Sequence, residues 1–154
     1  MSDINKILDN LRRQCSRREY CTSDVLKKAE KALEGDKEKA MQIVATLVEE
    51  KYVDDLRYAS AYAREKSAIS GWGEVKIRYM LSAKGISRDL ISQALEEVDA
   101  QRADNRLVKL LENKYRTIKE DPQCKLKLLR FALGRGYSYD DVNGHIDTLI
   151  RGDK

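Results

Sequence analysis

The stretch RYMLSAKGISRDLISQAL, residues 78–95, overlays LRFALGRGYSYDDVNGHI, residues 129–146, at a constant offset of 51. Lys84-Gly85-Ile86-Ser87 then meets Arg135-Gly136-Tyr137-Ser138, Asp89 meets Asp140, Ile91 meets Val142, and Leu95 meets Ile146. Apolar residues keep a helical spacing on both sides of each glycine, so each copy reads as helix, tight turn, helix. Gly85 suits the left-handed closing position of the first helix and Ser87 the N-cap of the second. The chain therefore contains an internal repeat.

Working outward, the last copy begins with a strongly periodic helix carrying Leu107, Leu110, Leu111, Tyr115 and Ile118. Asp121-Pro122 is expected to start the next helix as N-cap plus first-turn proline. In the middle copy a helix runs from Asp55 to about Ala68 and GWG at 71–73 makes the turn. A short helix follows with Val75, Ile77, Met80 and Leu81, then a third with a buried stripe of Leu90 or Ile91, Ala94, Leu95 and Val98. The first copy matches more loosely, around EGDKEKAMQIVATL. Its first helix carries Ile4, Ile7, Leu8, Leu11 and Cys15 on one face and should stop near Glu19. A second runs from Cys21-Thr22-Ser23-Asp24 through Val25, Ala29 and Leu33 to Gly35. The third spans about Asp36 to Lys51 and buries Ala40, Ile43 or Val44, Leu47 and Val48.

The join between the first two copies is EEKYVDDLRYASAYAREK, residues 49–66, which contains neither Gly nor Pro. Asp54 and Asp55 mark a helix start there, since a carboxylate accepts from free N–H groups and favours the positive end of the dipole. The expected fold is all-α: three tandem three-helix repeats, at 1–53, 54–98 and 99–154, forming an elongated, curved molecule. A unit of about 50 residues buries too little surface to be comfortable alone, whereas units in series share a core. That shape favours binding over catalysis, because it offers a partner a long surface and a small substrate no deep pocket.

Composition agrees. Of the 154 residues 42% are hydrophobic and 36% charged, enough for a core beneath a charged surface. No apolar stretch approaches the roughly 20 residues needed to cross a bilayer, and MSDINKILDN lacks the apolar region of a secretory signal, so a cytoplasmic location is expected. Cys15, Cys21 and Cys124 form no C-x-x-C pair, and His145 is the single histidine, which removes most triads and zinc sites. No enzyme activity, metal or cofactor is expected.

The segments REYCTSDVLKK (18–28), EEKYVDDLRYASAYAREK (49–66) and GEVKIRYMLSAKGISRDLISQAL (73–95) resemble RecX, the family of bacterial regulators of the RecA recombinase. The most specific parts are Tyr52-Val53-Asp54-Asp55-x-Arg57-Tyr58-Ala59 and the Leu81-x-x-Lys84-Gly85-Ile86 turn. Lys51 stands where the family often has Gly, Cys21 where a Ser commonly starts the second helix, and Tyr58 where Phe is usual. The resemblance implies a non-enzymatic protein that binds the RecA–DNA filament, lying along its groove across neighbouring protomers, and reduces strand exchange, ATP hydrolysis and co-protease activity. A weak contact with DNA in the filament, no membrane association and a monomeric chain are expected beside it.

The net charge of +4 lies mainly in residues 99–154. Arg102, Arg106, Lys109, Lys114, Arg116 and Lys119 fall on the seventh helix, with Lys125, Lys127, Arg130 and Arg135 beyond it. Such a surface could meet DNA or an acidic patch, or simply be solvated. Candidate partner-binding residues are Arg57, Arg64, Lys76, Arg78, Lys84, Arg106, Lys109, Arg130 and Arg135. Arg57 sits in a first helical turn, unfavourable for a cation, so an acidic partner is expected for it, inside the fold in preference to one on the recombinase. Trp72 reads as a packing plug more readily than as an exposed anchor. The rival reading is a stand-alone helix-turn-helix DNA-binding protein. It is disfavoured because the third helices begin DKEKAMQ, SRDLISQ and SYDDVNG, with acids that repel phosphate.

Overall fold

The structure, a computed structural model, describes residues 3–152. Nine α-helices and no strand occupy those residues: α1 Ile4–Arg17, α2 Thr22–Ala32, α3 Lys37–Glu49, α4 Asp55–Ala68, α5 Glu74–Ala83, α6 Arg88–Leu95, α7 Ala100–Ile118, α8 Cys124–Gly134 and α9 Tyr139–Gly152. The order is three helices, three times. Among the described residues, no helix is long and apolar enough to cross a membrane.

The chain packs as two compact units, Met1–Tyr62 with Leu81–Ala94, and Ala63–Met80 with Leu95–Lys154. All three boundaries fall inside helices of the middle copy: α4, α5 and, just before its last residue, α6. In the first unit Ala40, Ile43, Val44 and Leu47 of α3 pack with Leu11 of α1, Val25 and Ala29 of α2, and Val53. In the second, Leu107 and Leu111 of α7 pack with Cys124, Leu128 and Ala132 of α8 and with Tyr137, Val142 and Ile146. The repeat is physical as well as textual. Ile77, Leu81, Ile86 and Ile91 are buried, as are Leu128, Ala132, Tyr137 and Val142, their equivalents at offset 51.

Carboxylates and hydroxyls start most helices. Asp36 accepts from Lys39 N at 3.1 Å, Asp54 from Arg57 N at 3.0 Å and Asp99 from Arg102 N at 3.1 Å. Ser87 and Ser138, paired by the overlay, each accept from an N–H three residues on, both at 3.3 Å. Each such cap is worth about 1 kcal/mol. The turns between second and third helices of every copy carry a left-handed glycine, with φ of 93° at Gly35, 80° at Gly85 and 94° at Gly136. Lys51, where the family often has Gly, is also left-handed, at φ 66°.

Several expectations are corrected. Val48 is 45% exposed, because it lies about 90° round the helix from the centre of the stripe made by Ala40, Ile43, Val44 and Leu47. On α5 only Ile77 and Leu81, four residues apart, turn fully inward, and Val75 and Met80 are exposed. The third helix of the middle copy ends at Leu95, leaving Val98 in the turn before the Asp99 cap. α8 begins at Cys124, not Pro122. Asp121 accepts from Gln123 N at 2.8 Å through its side chain and from Cys124 N at 3.0 Å through its carbonyl, so Asp121-Pro122 forms a turn leading into the helix. Finally, α1 stops at Arg17, two residues before Glu19.

Candidate partner-binding surfaces

Adjacent copies are joined in one way, seen once in each unit. The turn before a third helix meets the start of the second helix of the preceding copy, joined in the first unit by Asp55 at the start of α4. In the first unit Thr22 N donates to Asp55 Oδ1 at 2.7 Å, Ser23 Oγ donates to the Lys84 carbonyl at 2.7 Å, and Lys84 Nζ meets Asp24 Oδ1 at 2.8 Å. In the second, Gly73 N donates to the Arg135 carbonyl at 2.8 Å, Val75 N to the Gly136 carbonyl at 2.9 Å, and Tyr137 OH to the Gly71 carbonyl at 3.0 Å. Lys84-Gly85-Ile86 and Arg135-Gly136-Tyr137 are the turns matched by the 51-residue overlay. Contact is tighter in the second unit: a Cβ on Gly136 would lie 2.2 Å from Lys76 Cβ, and one on Gly73 would lie 2.5 Å from the Gly136 carbonyl oxygen.

These joints engage several of the candidate cations. Lys84 is a clasp, and its ammonium pKa is raised, mainly by the hydrogen bond to Asp24, with burial opposing. For Asp24, burial works to raise the carboxyl, but hydrogen bonds from Lys84 and Cys21 outweigh it and the group titrates below its ordinary range. Arg57 has the internal partner expected of it: Nε lies 2.6 Å from Glu19 Oε2, and Nη2 donates to the Tyr52 carbonyl at 3.2 Å. Asp55, beside the Asp54 cap of α4, gives its carboxylate to the first N–H of α2.

In the second unit Arg64 pairs with Glu97 and Arg78 with Glu74, the latter at 3.0 Å one turn away on α5. Arg106 donates to Ser67 Oγ at 2.9 Å, while its Nε is buried with no acceptor among the described residues. Trp72 is half-buried, with Lys66 Nζ 4.9 Å and Lys76 Nζ 4.3 Å from its ring centroid. The Arg135 guanidinium lies 5.3 Å from the Phe131 ring centroid. Lys109 and Arg130 are exposed, and neither joins an ion pair or ring contact among the described residues. Of the nine candidates these two have neither an ion pair nor a ring contact, while Lys76 and Arg135 face aromatic rings and join no ion pair among the described residues.

The remaining chemistry is sparse. His145 Nε2 lies 2.7 Å from Asp104 Oδ1. Cys15, Cys21 and Cys124 are unbridged, and burial is the leading cause pushing each thiol up. No group of three or more His, Cys, Asp or Glu suited to a metal occurs among the described residues. A cavity of about 430 Å³ in the second unit is walled by Trp72, Ile77, Val98, Leu107 and Tyr137, with Asp104 and Asp141 at its edge. A second concavity of about 280 Å³, in the first unit, gathers Arg17, Arg18, Glu19, Lys51 and Arg57. Sequence reading missed that cluster and the roles of Glu19, Ser23 and Asp24, because the partners lie far apart in the chain. The signal present was Lys51 at a glycine-favoured position.

A family model described as RecX, second three-helix domain, matches residues 54–95, and one described as RecX, third three-helix domain, matches residues 103–144. Regulatory protein RecX of Clostridium perfringens strain 13 is 35% identical over 127 residues, covering 80% of this chain and 58% of that protein. Its counterpart in Clostridium tetani is 32% identical over 116 residues, covering 73% of this chain and 53% of that one. The chain thus spans little more than half the length of these relatives. A crystal structure of RecX from Lactobacillus salivarius superposes with a TM-score of 0.80 over 95% of this chain and 96% of that one, at 23% identity. A crystal structure titled regulatory protein RecX gives a TM-score of 0.82 over 94% and 71%, also at 23% identity.

Proposed function

Because the chain belongs to the RecX family, we propose that it is a non-enzymatic regulator that binds the filament of a RecA-type recombinase on DNA and lowers its activity. The observation carrying this reading is the match of two consecutive stretches to that family's second and third three-helix domains, alongside relatives named regulatory protein. A tandem array suits a polymeric target. Once one repeat has engaged a protomer, contact of the next with a neighbouring protomer is intramolecular and gains from effective concentration. Such a protein shifts the recombinase among its states only by its difference in affinity for them, so it needs no chemistry of its own.

The side chains support a binding role. A single histidine held by a carboxylate and thiols that burial keeps protonated make a poor catalytic set. The exposed cations Lys109 and Arg130 are better contact residues than Lys84 and Arg57, whose charges hold the fold. Stand-alone base reading is disfavoured by acids in the first turns of the third helices, Glu38 in α3, Asp89 in α6, and Asp140 and Asp141 in α9.

The test is a titration into RecA on single-stranded DNA with ATP hydrolysis followed, beside binding to naked DNA at physiological salt. Suppression below one regulator per protomer with feeble naked-DNA binding supports the proposal. Tight, sequence-selective DNA binding with no effect on the recombinase overturns it. Lys109→Glu with Arg130→Glu should weaken filament affinity about tenfold while leaving helicity intact, since neither charge has a partner in the fold.

A further inference from the structure

Four cations converge on the first unit's shallow concavity: Arg17 and Arg18 where α1 ends, Lys51 in the turn after α3, and Arg57 in the first turn of α4. Tyr52 also lines the wall, whereas the Ser16 hydroxyl there already donates to the Arg12 carbonyl at 2.8 Å. One carboxylate, Glu19, is present, and it is already bound to Arg57, with its other oxygen buried. Glu50, next to Lys51 in the chain, is held by Arg12 at 2.9 and 2.8 Å, and Asp54 caps α4. Glu50 is therefore committed elsewhere, while the Asp54 charge still acts on Arg57 beside the Glu19 pair.

The other cations are not so held. Arg17 and Lys51 join no ion pair among the described residues, and the Arg18 guanidinium only faces the Tyr20 ring, 4.8 Å from its centroid. The free carbonyls ending α1 contribute about half a negative charge, against a surplus of roughly three positive ones. Packing like charges together without neutralisation is unfavourable, and a concave arrangement concentrates the field they make. Lys51 adds an independent sign. Its φ of 66° is a conformation in which a side chain costs about 1 kcal/mol relative to glycine, yet the position carries a lysine aimed at no internal partner.

We propose that this concavity binds a phosphate-ester anion, supplied by the backbone of a nucleic-acid strand or by a nucleoside polyphosphate. Arg17, Arg18 and Lys51 neutralise the anion, and Arg57, oriented by Glu19 and the Tyr52 carbonyl, sets its position as a forked donor. The site lies in the first unit, formed by the first copy and the start of α4 and remote in sequence from Lys109 and Arg130, and its binding does not depend on the recombinase reading.

The test uses the whole chain without recombinase. Anisotropy of a fluorescein-labelled oligothymidylate and of a fluorescent ATP analogue is followed at about 50 and 200 mM salt, salt being the diagnostic for phosphate contacts. Arg17→Gln with Lys51→Gln should weaken binding of the true ligand about tenfold at the lower salt and reduce the salt slope by about two ions. Lys31→Gln with Lys37→Gln, exposed cations outside the concavity that join no ion pair among the described residues and carry the same net charge, should change either quantity less than twofold. Selective loss in the first pair supports the site, and the ligand bound more tightly by the unaltered protein identifies the source of the phosphate. Equal losses in both pairs, loss only in the second, or no binding of either ligand at the lower salt overturns the site without bearing on filament inhibition.

Discussion

Asp54 and Asp55 are adjacent and chemically alike, yet they serve different helices. Asp54 caps its own helix, while Asp55 reaches the first N–H of a helix 33 residues earlier in the chain. Replacing either by Ala should cost about 1 kcal/mol. Hydrogen exchange separates them: Asp54→Ala should loosen the amides at the start of α4, and Asp55→Ala those at the start of α2. Glycines differ as sharply. Gly136→Ala drives a Cβ to 2.2 Å from Lys76 in a left-handed backbone and should lower stability by more than about 2 kcal/mol. Gly144→Ala, in the interior of α9 with nothing within 4 Å, should raise it by about 0.5–1 kcal/mol. Thermal or urea unfolding of the two variants decides this.

At the scale of elements, what could be read from the sequence was local. Helix count and order, the glycine turns and the serine caps all depend on residues within a turn or two of one another, so periodicity and cap chemistry locate them. The exceptions are apolar residues beyond the width of the buried stripe, such as Val48 and Val75, where composition does not say which face turns inward. The joints were not legible, because Lys84 meets Asp24 across 60 residues and no local pattern announces it. This clasp has a pH signature. Asp24 titrates below its ordinary value, so its contribution is present above the unfolded carboxyl pKa and is lost as pH falls through the lowered one. Lys84 is raised, so its contribution is present below the unfolded amine pKa and is lost as pH rises through the raised one. The stability gap between the unaltered protein and Lys84→Met should therefore be flat between about pH 5 and 9 and close on either side. With Lys84 42% exposed, solvent screening holds that gap to about 1 kcal/mol.

For the whole molecule, repeat boundaries and packing boundaries do not coincide. The sequence period divides the chain near 54 and 98, yet α4, α5 and, by its last residue, α6 contribute residues to both compact units. The middle copy is thus the one whose buried side chains have their neighbours in two places. Excised as residues 54–98, it should show little helical signal by circular dichroism, both because about 45 residues bury too little surface and because its joints are gone. Of the candidate surface, the sequence revealed where cations are plentiful but not which of them the fold itself engages. That depends on carboxylates brought up from distant parts of the chain, as Glu19 and Glu97 are to Arg57 and Arg64, 38 and 33 residues away.

The Ser23 and Asp24 contacts also bear on how the protein is made. Chain leaves the ribosome from its amino end, so the first turn of α2 emerges with the Ser23 hydroxyl and the Asp24 carboxylate lacking their Lys84 partner. It stays so until Lys84, some 60 residues behind, has cleared the exit tunnel. A pause in translation before that point would expose a nascent chain whose first three helices have formed while their closing clasp is still unsynthesised.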